Sequence, residues 1–361
     1  MNYELEFIGV NDDTCDADAI CLRFFNEKTG KYVIGVYDGG TKKHGVALVK
    51  HLKQYYFTAD GQSTIDFVVC SHTDQDHASG LSILFDEFQI KYLIMNRPWL
   101  YIDDLFDKVN DGRITKESLE RRLEDAYPFV KELEKKAIDN GVTICEGFQG
   151  TIIFDVLRIL SPTKDFFISL LVESNKTPLQ DEYNNLENMI KRVFIKLQSV
   201  WESWTDEMLR EDVSTTPENE ASIVIFGDMG EESFLLTGDG GLRAIKHSID
   251  YASCIGINTN GIKVHQIPHH GGRHNVSPSL LDSLLGSKVD NNTLPSKTAF
   301  VSVGKGTDHP RKMVTNAYKR RGAEVYVARE KVIRHSHNMP NREGWVSAEI
   351  TPFYDEVEDW D

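Results

Sequence analysis

Nowhere in this chain of 361 residues is there a run of about 18 apolar residues, so no membrane span is expected. Its five cysteines, Cys15, Cys21, Cys70, Cys145 and Cys254, are odd in number and scattered, with no CxxC pair. That excludes a disulfide framework as the organising principle and points to reduced thiols in a cytoplasmic protein. The opening MNYELEFIGV lacks the basic and apolar regions of a signal peptide. Positive charge is short as well: 40 Lys and Arg stand against 56 Asp and Glu, a net charge of −16. Such a surplus speaks against a protein that coats nucleic acid electrostatically, but not against an enzyme that grips phosphates with metal ions. Internal repeats and low-complexity tracts are absent too.

What basic character exists gathers late. Between Lys305 and His337 lie Lys305, Arg311, Lys312, Lys319, Arg320, Arg321, Arg329, Lys331 and Arg334, against Asp308, Glu324 and Glu330. A solvated helix and hairpin face and a phosphate-facing patch are both open readings.

A hydrophobic content of 40%, with 18 Phe and 13 Tyr, is enough for a large core. Strands are expected at ELEFIGV, AICLRFF, YVIGVYD, IDFVVC and IKYLIM, with a helix from about Val46 to Tyr56. Charged helical periodicity covers about Asp103 to Asn140, followed by strands at VTICEGF and IIFDVLRIL. Leu186, Ile190, Val193, Leu197, Val200, Trp204 and Met208 recur at helical spacing and predict an amphipathic helix from roughly Asp181 to Arg210. Strands resume at ASIVIFGD, SFLLTGD, IKVHQIP, TAFVSVG and EVYVAR, with WVSAEITPF near the end. Strand clusters flanking helices suggest two sheets with helices outside, an α/β sandwich.

Four strand ends carry chemistry. SHTDQDH, behind the apolar VVC, crowds His72, Asp74, Asp76 and His77 onto one loop. Two imidazoles and two carboxylates converging there are costly unless a cation neutralises the acids. Imidazole suits Zn, Fe and Mn, and carboxylates favour harder ions. FLLTGDGG places Asp239 at a Gly turn, where a lone Asp is commonly a cap or turn residue. IPHHGGRH sets His269 and His270 on a loop held by Pro268 and two glycines. SVGKGTDHP ends a strand in Gly304-Lys305-Gly306 and leads to His309, and such a turn with Lys305 can hold a phosphate, a plain loop being the alternative.

Taken together, these four strand ends make the sequence resemble the metallo-β-lactamase fold superfamily, and within it the ComEC/Rec2-like branch, whose metal motif reads HxDxDH as it does here. The match runs in order along nearly the whole chain: GVNDDTCDADAICLRF (three or four residues longer than usual), YDGG, SHTDQDHASGL, LRILSP, ENEASIVI, FLLTGD, IPHHGG and SVGKGTDHP. The resemblance implies one domain over 1–361, a four-layered αββα sandwich with a helical insertion at about 163–216. It implies that His72 and Asp74 bind one metal, Asp76 and His77 a second, that Asp239 bridges them, and that His309 completes the second site. His269 or His270 would be a ligand or a proton donor, and Asp38 would order the metal loop. One departure concerns ligands: no His occurs between His77 and His247. Asn219, Glu220 and Ser222 stand where the superfamily usually has one, which favours Mn or Mg over Zn at the first site, or partial occupancy.

The expected function is therefore a metal-dependent phosphodiesterase, a nuclease on DNA or RNA that uses two divalent ions (Mn, Mg or Zn). Asp76 and Asp239 would orient an activated water, His269 or His270 would protonate the leaving oxygen, and Lys305 and Ser302 would contact phosphate. Nucleic acid or a nucleotide is the expected partner, with no membrane, and the insertion would be a lid, a protein-partner surface or a self-association contact. Two rivals stand: hydrolysis of a small molecule such as a cyclic nucleotide, lactone or thioester, and a binding module of the same fold without turnover.

Overall fold

The computed structural model describes residues 1–11, 14–57, 63–108, 114–177 and 199–360. Among them the first half of the chain contributes strands β1 (Tyr3–Phe7), β2 (Ala19–Asn26), β3 (Lys31–Gly39), β4 (Thr64–Val69), β5 (Gln89–Ile94) and β6 (Thr143–Cys145). The second half adds β7 (Ile152–Ile153), β8 (Leu157–Ser161), β9 (Ser199–Trp201), β10 (Val224–Asp228), β11 (Ser233–Leu236), β12 (Val264–Gln266), β13 (Lys297–Ser302), β14 (Ala323–Ala328), β15 (Ile333–His337) and β16 (Glu356–Glu358). Between them run helices α1 (Lys42–Tyr55), α2 (Gln75–Ala78), α3 (Leu81–Glu87), α4 (Ile102–Phe106), α5 (Lys116–Ala126), α6 (Pro128–Asp139), α7 (Lys164–Glu173), α8 (Pro217–Glu220), α9 (Leu242–Cys254), α10 (Pro278–Leu285) and α11 (Lys312–Arg320).

One seven-stranded sheet has the order β15-β1-β2-β3-β4-β5-β6, and a second the order β14-β13-β12-β11-β10-β8-β7. Strands β3 to β6 are parallel, as are β11 to β14. Side-chain alternation separates the two faces of each strand. Tyr3, Leu5 and Phe7 of β1 and Ile20, Leu22 and Phe24 of β2 meet Ile159, Ile225, Phe234, Leu236 and Phe300 of the other sheet in one buried cluster. The first sheet's outer face packs through Val36, Val68 and Leu93 against Leu48, Leu84 and Leu133 of its helices. Val224, Phe226, Leu235 and Val301 do the same under Ile245, Leu281 and Met313. Three apolar clusters thus separate four layers, and the expected αββα sandwich is what forms.

Two expectations are corrected. The amphipathic helix over 181–210 does not continue through its described part: Ser199–Trp201 is a strand paired with β16, and 202–210 is non-helical. The buried Arg320 explains why. Its guanidinium takes the carbonyls of Ser203, Trp204 (2.8 Å) and Asp206 (3.1 Å), which a helix would use for its own N–H groups. Residues 181–198 lie outside the described residues. WVSAEITPF is not a strand either. It meets the second sheet through Thr351 N donating to Val325 O (2.9 Å), while the unforeseen β15 closes the first sheet's edge.

Much of the late basic cluster is internal. Besides Arg320, buried Arg321 pairs with Glu207 (2.8 Å) and Asp282 (2.8 Å), Lys319 donates to Thr351 O (2.8 Å), and Arg334 pairs with Glu4 (2.5 Å). Glu4 and Glu6, on the helix-facing side of β1, are fully buried. Arg23 (2.6 Å) and Arg342 (2.8 Å) also hold Glu4, and His51 (2.8 Å), Tyr56 (2.8 Å) and Arg342 (2.7 Å) hold Glu6. Burial works against the Glu6 charge, yet hydrogen bonds from His51 and Arg342 bring its pKa down to about 2. A depressed carboxylate stabilises the fold above its unfolded pKa and loses that contribution as pH falls toward the folded one. Wild type is expected to exceed Glu6→Gln by roughly 3 kcal/mol at pH 7. In urea titrations from pH 7 to 2.5 that difference should shrink once pH drops below about 4.5. A pH-independent gap would show that packing, not ionisation, is what the substitution removes.

Candidate metal centre

Parallel strands in both sheets deliver their carboxyl-end loops to one edge, the usual place for a site in a parallel sheet. There Asp38 stands at the end of β3, β4 runs through the 70–74 loop into α2, and β11 leads to Asp239. From β12 comes the 267–275 loop, and from β13 the loop ending at His309. Asp16 and Asp18 join from the β1–β2 connection. Asp38, His269 and His270 adopt left-handed backbone (φ 59°, 49° and 55°), each costing on the order of 1–3 kcal/mol, so the surroundings must hold them there. Asp38 is held by three bonds: it accepts from Ser71 N (2.7 Å), Ser71 Oγ (2.5 Å) and His77 Nδ1 (2.8 Å). A Cβ at Gly80 would lie 1.9 Å from Gly39 O, so the metal loop can lie on β3 only with glycine there.

Asp239 sits between two sets of donors. Its Oδ2 lies 3.8 Å from His72 Nε2 and 3.7 Å from His269 Nε2, and His72 Nε2 is 3.9 Å from Asp74 Oδ2. Its Oδ1 lies 3.1 Å from His77 Nε2, on the side where His270 Nε2 stands 3.4 Å from Asp76 Oδ2. Asp18, His77, Asp239 and His270 each bring one ligand atom within 4.8 Å of the others, and all four are buried.

The imidazoles share one orientation. His77 Nδ1 is bonded to the Asp38 carboxylate, His269 Nδ1 to Asn275 Oδ1 (2.7 Å), and His270 Nδ1 to Ser302 O (3.0 Å). His72 Nδ1 bonds Ser71 Oγ (3.0 Å), whose own proton goes to Asp38. Each acceptor fixes the N–H on Nδ1 and turns Nε2 inward, as metal-ligating histidines are held. Burial disfavours charge at His77, but Asp239 and Asp38 outweigh it and raise its pKa well above the usual value. Burial likewise opposes His270, and Asp239 with Asp76 and Asp18 raise it to about 10. His72 is lowered by burial and by the His77 charge. Burial opposes the Asp239 charge too, yet His77, His269 and His270 hold it well below the carboxylate range. Asp18 goes the other way: burial outweighs the nearby imidazoles and lifts it to about 6.

His72, Asp74, Asp76, His77, Asp239, His269 and His270 are therefore brought together, with Asp38 behind them. Ser222 Oγ accepts from Asp239 N (3.1 Å), and Asn219 lies 3.5 Å from His269 Nδ1 while its amide donates to Thr215 (2.8 Å). Ser302 contributes its carbonyl rather than its hydroxyl. His309 stands at the rim, its ring 6.2 Å from that of His269 and its Nδ1 bonded to Asp16 (2.8 Å). Lys305 is not drawn in. It is exposed and pairs with Glu330 (3.1 Å). Sequence reasoning passed over Asp16, Asp18 and Lys176, whose Nζ lies 2.7 Å from Asp74 Oδ1. The two aspartates were within sight, in the CDADAI segment ahead of β2, as two acids preceding an apolar strand.

No protein-family model matches this chain, and no curated protein does. Among solved structures it is similar to unliganded yeast PDE1 (12% identity over 92% of this chain and 98% of that one, TM-score 0.39). It is also similar to the metallo-β-lactamase SMB-1 bound to 2-mercaptoethanesulfonate (8%, 78% and 86%, TM-score 0.31). A third is ST1585, an archaeal metallo-β-lactamase superfamily protein from Sulfolobus tokodaii (12%, 79% and 90%, TM-score 0.28). Similarity at this level bears on neither substrate nor chemistry.

The donors themselves fit divalent ions. Nε2 of His72, His77 and His270 and Oδ1 of Asp239 and Asp18 are buried without a hydrogen-bond partner, which is costly unless another acceptor of their lone pairs is supplied. Imidazole nitrogen mixed with carboxylate oxygen suits Zn, Mn or Fe. Added Mn or Zn at 100 times its Kd should stabilise the protein by about 2.7 kcal/mol, seen as a raised Tm in differential scanning fluorimetry. In Asp239→Asn most of that rise should vanish. An undiminished rise would place the bound ion elsewhere.

Proposed function

We propose that this chain is a metal-dependent phosphodiesterase of the metallo-β-lactamase fold superfamily, in its ComEC/Rec2-like branch, and that it cleaves DNA or RNA with two divalent ions, Mn, Mg or Zn. The observation that carries the reading is Asp239, one buried carboxylate whose two oxygens face two separate groups of His and Asp donors. His72, Asp74 and His269 with one Asp239 oxygen would hold one ion, and Asp76, His77 and His270 with the other oxygen the second. Bound there, the ions supply Lewis acidity and a water of lowered pKa. His269 thereby takes the place of the histidine missing between His77 and His247, and His270 fills the position that the resemblance gives to His309.

His309 is then free for proton transfer. The Asp16 carboxylate bonds Nδ1 and fixes the ring, which leaves Nε2 as the nitrogen that passes a proton to the leaving oxygen. Asp16 is itself fixed by Gly304 N (2.8 Å) and Thr307 Oγ1 (2.7 Å). Lys176, from the insertion, puts a cation beside Asp74 for the incoming phosphate.

Cleavage of linear and circular, single- and double-stranded substrates with added Mn, Mg or Zn tests the reading. Metal-dependent cutting that falls at least about 100-fold in Asp76→Ala is expected, with a smaller loss of about 100-fold or less in His309→Ala. A metal-loaded protein that cuts no phosphodiester would overturn it.

A further inference from the structure

Beside His309 the surface opens into a cavity of about 510 Å3, walled by His309, Arg311, Lys312, Arg329, Tyr354 and Glu358. Three cations therefore converge beside His309, in a chain whose net charge is −16. With Lys305 and Lys331 they are what remains of the late basic cluster once Lys319, Arg320, Arg321 and Arg334 are engaged internally.

Two guanidinium donors here lack acceptors. Arg329 Nε and Arg311 Nη1 are buried without a hydrogen-bond partner. Leaving a buried charged donor unmade costs more than leaving a neutral one. Each is nonetheless anchored, Arg329 by its side chain and Arg311 by its backbone. Arg329 Nη2 donates to His309 O (2.9 Å), and Arg311 N donates to Gly271 O (3.1 Å), next to the His269-His270 pair. The acids nearby give these two donors no hydrogen bond. Asp308 is largely exposed and stays 3.6 Å from Arg311, and both Glu358 oxygens accept the Lys312 backbone N–H (3.0 Å) at the start of α11. Lys312 Nζ hovers 5.3 Å from the centre of the Tyr354 ring, so an apolar face adjoins the cations.

We infer that this cavity is a second phosphate subsite, which holds the phosphate next to the scissile one on the leaving side of a single strand, with Tyr354 as a platform for its base. The inference rests on the phosphodiesterase reading and narrows its substrate class. A cyclic mononucleotide has one phosphorus, which the metal centre takes, and would leave Arg311 and Arg329 unmatched. A polynucleotide supplies the second anion. Guanidinium suits it because its fork of donors matches phosphate oxygens, and stacking next to a basic groove is how single strands are held without sequence preference.

The test uses the full-length protein and fluorescein-labelled tetrathymidylate, with binding followed by anisotropy in EDTA so that nothing turns over. Arg311→Met and Arg329→Met should each raise Kd about tenfold. Each should also flatten the slope of log Kd against log salt by about one. Arg311→Lys should restore part of the affinity, and circular dichroism of each variant checks the fold. In metal-loaded protein, the same substitutions should lower kcat/KM for tetrathymidylate at least about tenfold more than for bis(4-nitrophenyl) phosphate. Wild type that cleaves the oligonucleotide while neither variant changes Kd, salt slope or that ratio overturns the subsite and leaves the nuclease reading intact. Oligonucleotide binding that depends on Arg311 and Arg329, in protein that cleaves nothing, keeps the subsite and overturns the nuclease.

Discussion

A carboxylate buried as deeply as Asp239 persists in its charged form only if positive charge surrounds it, and the whole edge of the sandwich is arranged around that requirement. His77, His269 and His270 approach it from the loops after β4 and β12, and each is oriented from behind by Asp38, Asn275 or Ser302. The backbone strain at Asp38, His269 and His270 is tolerated because those contacts over-determine the loops. Asn275 links the two ends of this arrangement, since it accepts from His269 and donates to Asp239 O (2.8 Å).

The same economy of charge runs through the rest of the molecule. Buried Glu4 and Glu6 of β1 are matched by Arg23, Arg334, Arg342 and His51, so the first sheet's helix-facing side carries a closed ionic network. Arg320 and Arg321 clamp the 202–210 segment to α11 through Glu202, Glu207 and backbone carbonyls. Once these internal demands are met, Arg311, Lys312 and Arg329 remain beside His309. An acidic protein can thus present a basic surface beside its candidate metal centre.

Some of this was legible before any coordinates. The strands of both sheets announced themselves by β-branched and aromatic runs, and the metal loop by four ligand-type residues behind VVC. What misled was helical spacing at Val200, Trp204 and Met208. Periodicity records only the spacing of apolar side chains, and here Val200 lies in a strand while the next residues give their carbonyls to Arg320, so the spacing carried no helix. Asp18 escaped notice because an acid before a strand looks like a turn residue. Its meaning appears only with Gln266, 248 residues away, donating to it (3.0 Å).

The sequence by itself determined the two-sheet architecture, the order of the ligand-bearing loops and the residue types at the metal edge, because alternation and strand-end composition are local properties. Only the tertiary structure decided how those ligands divide. Spacing along the chain cannot say that His269 Nε2 faces one Asp239 oxygen while His270 Nε2 faces Asp76, nor that His309 is turned toward Asp16. Those choices follow from the parallel register of β11, β12 and β13 and from the left-handed turn at two adjacent histidines. Both depend on contacts between segments far apart in sequence, which no local pattern encodes.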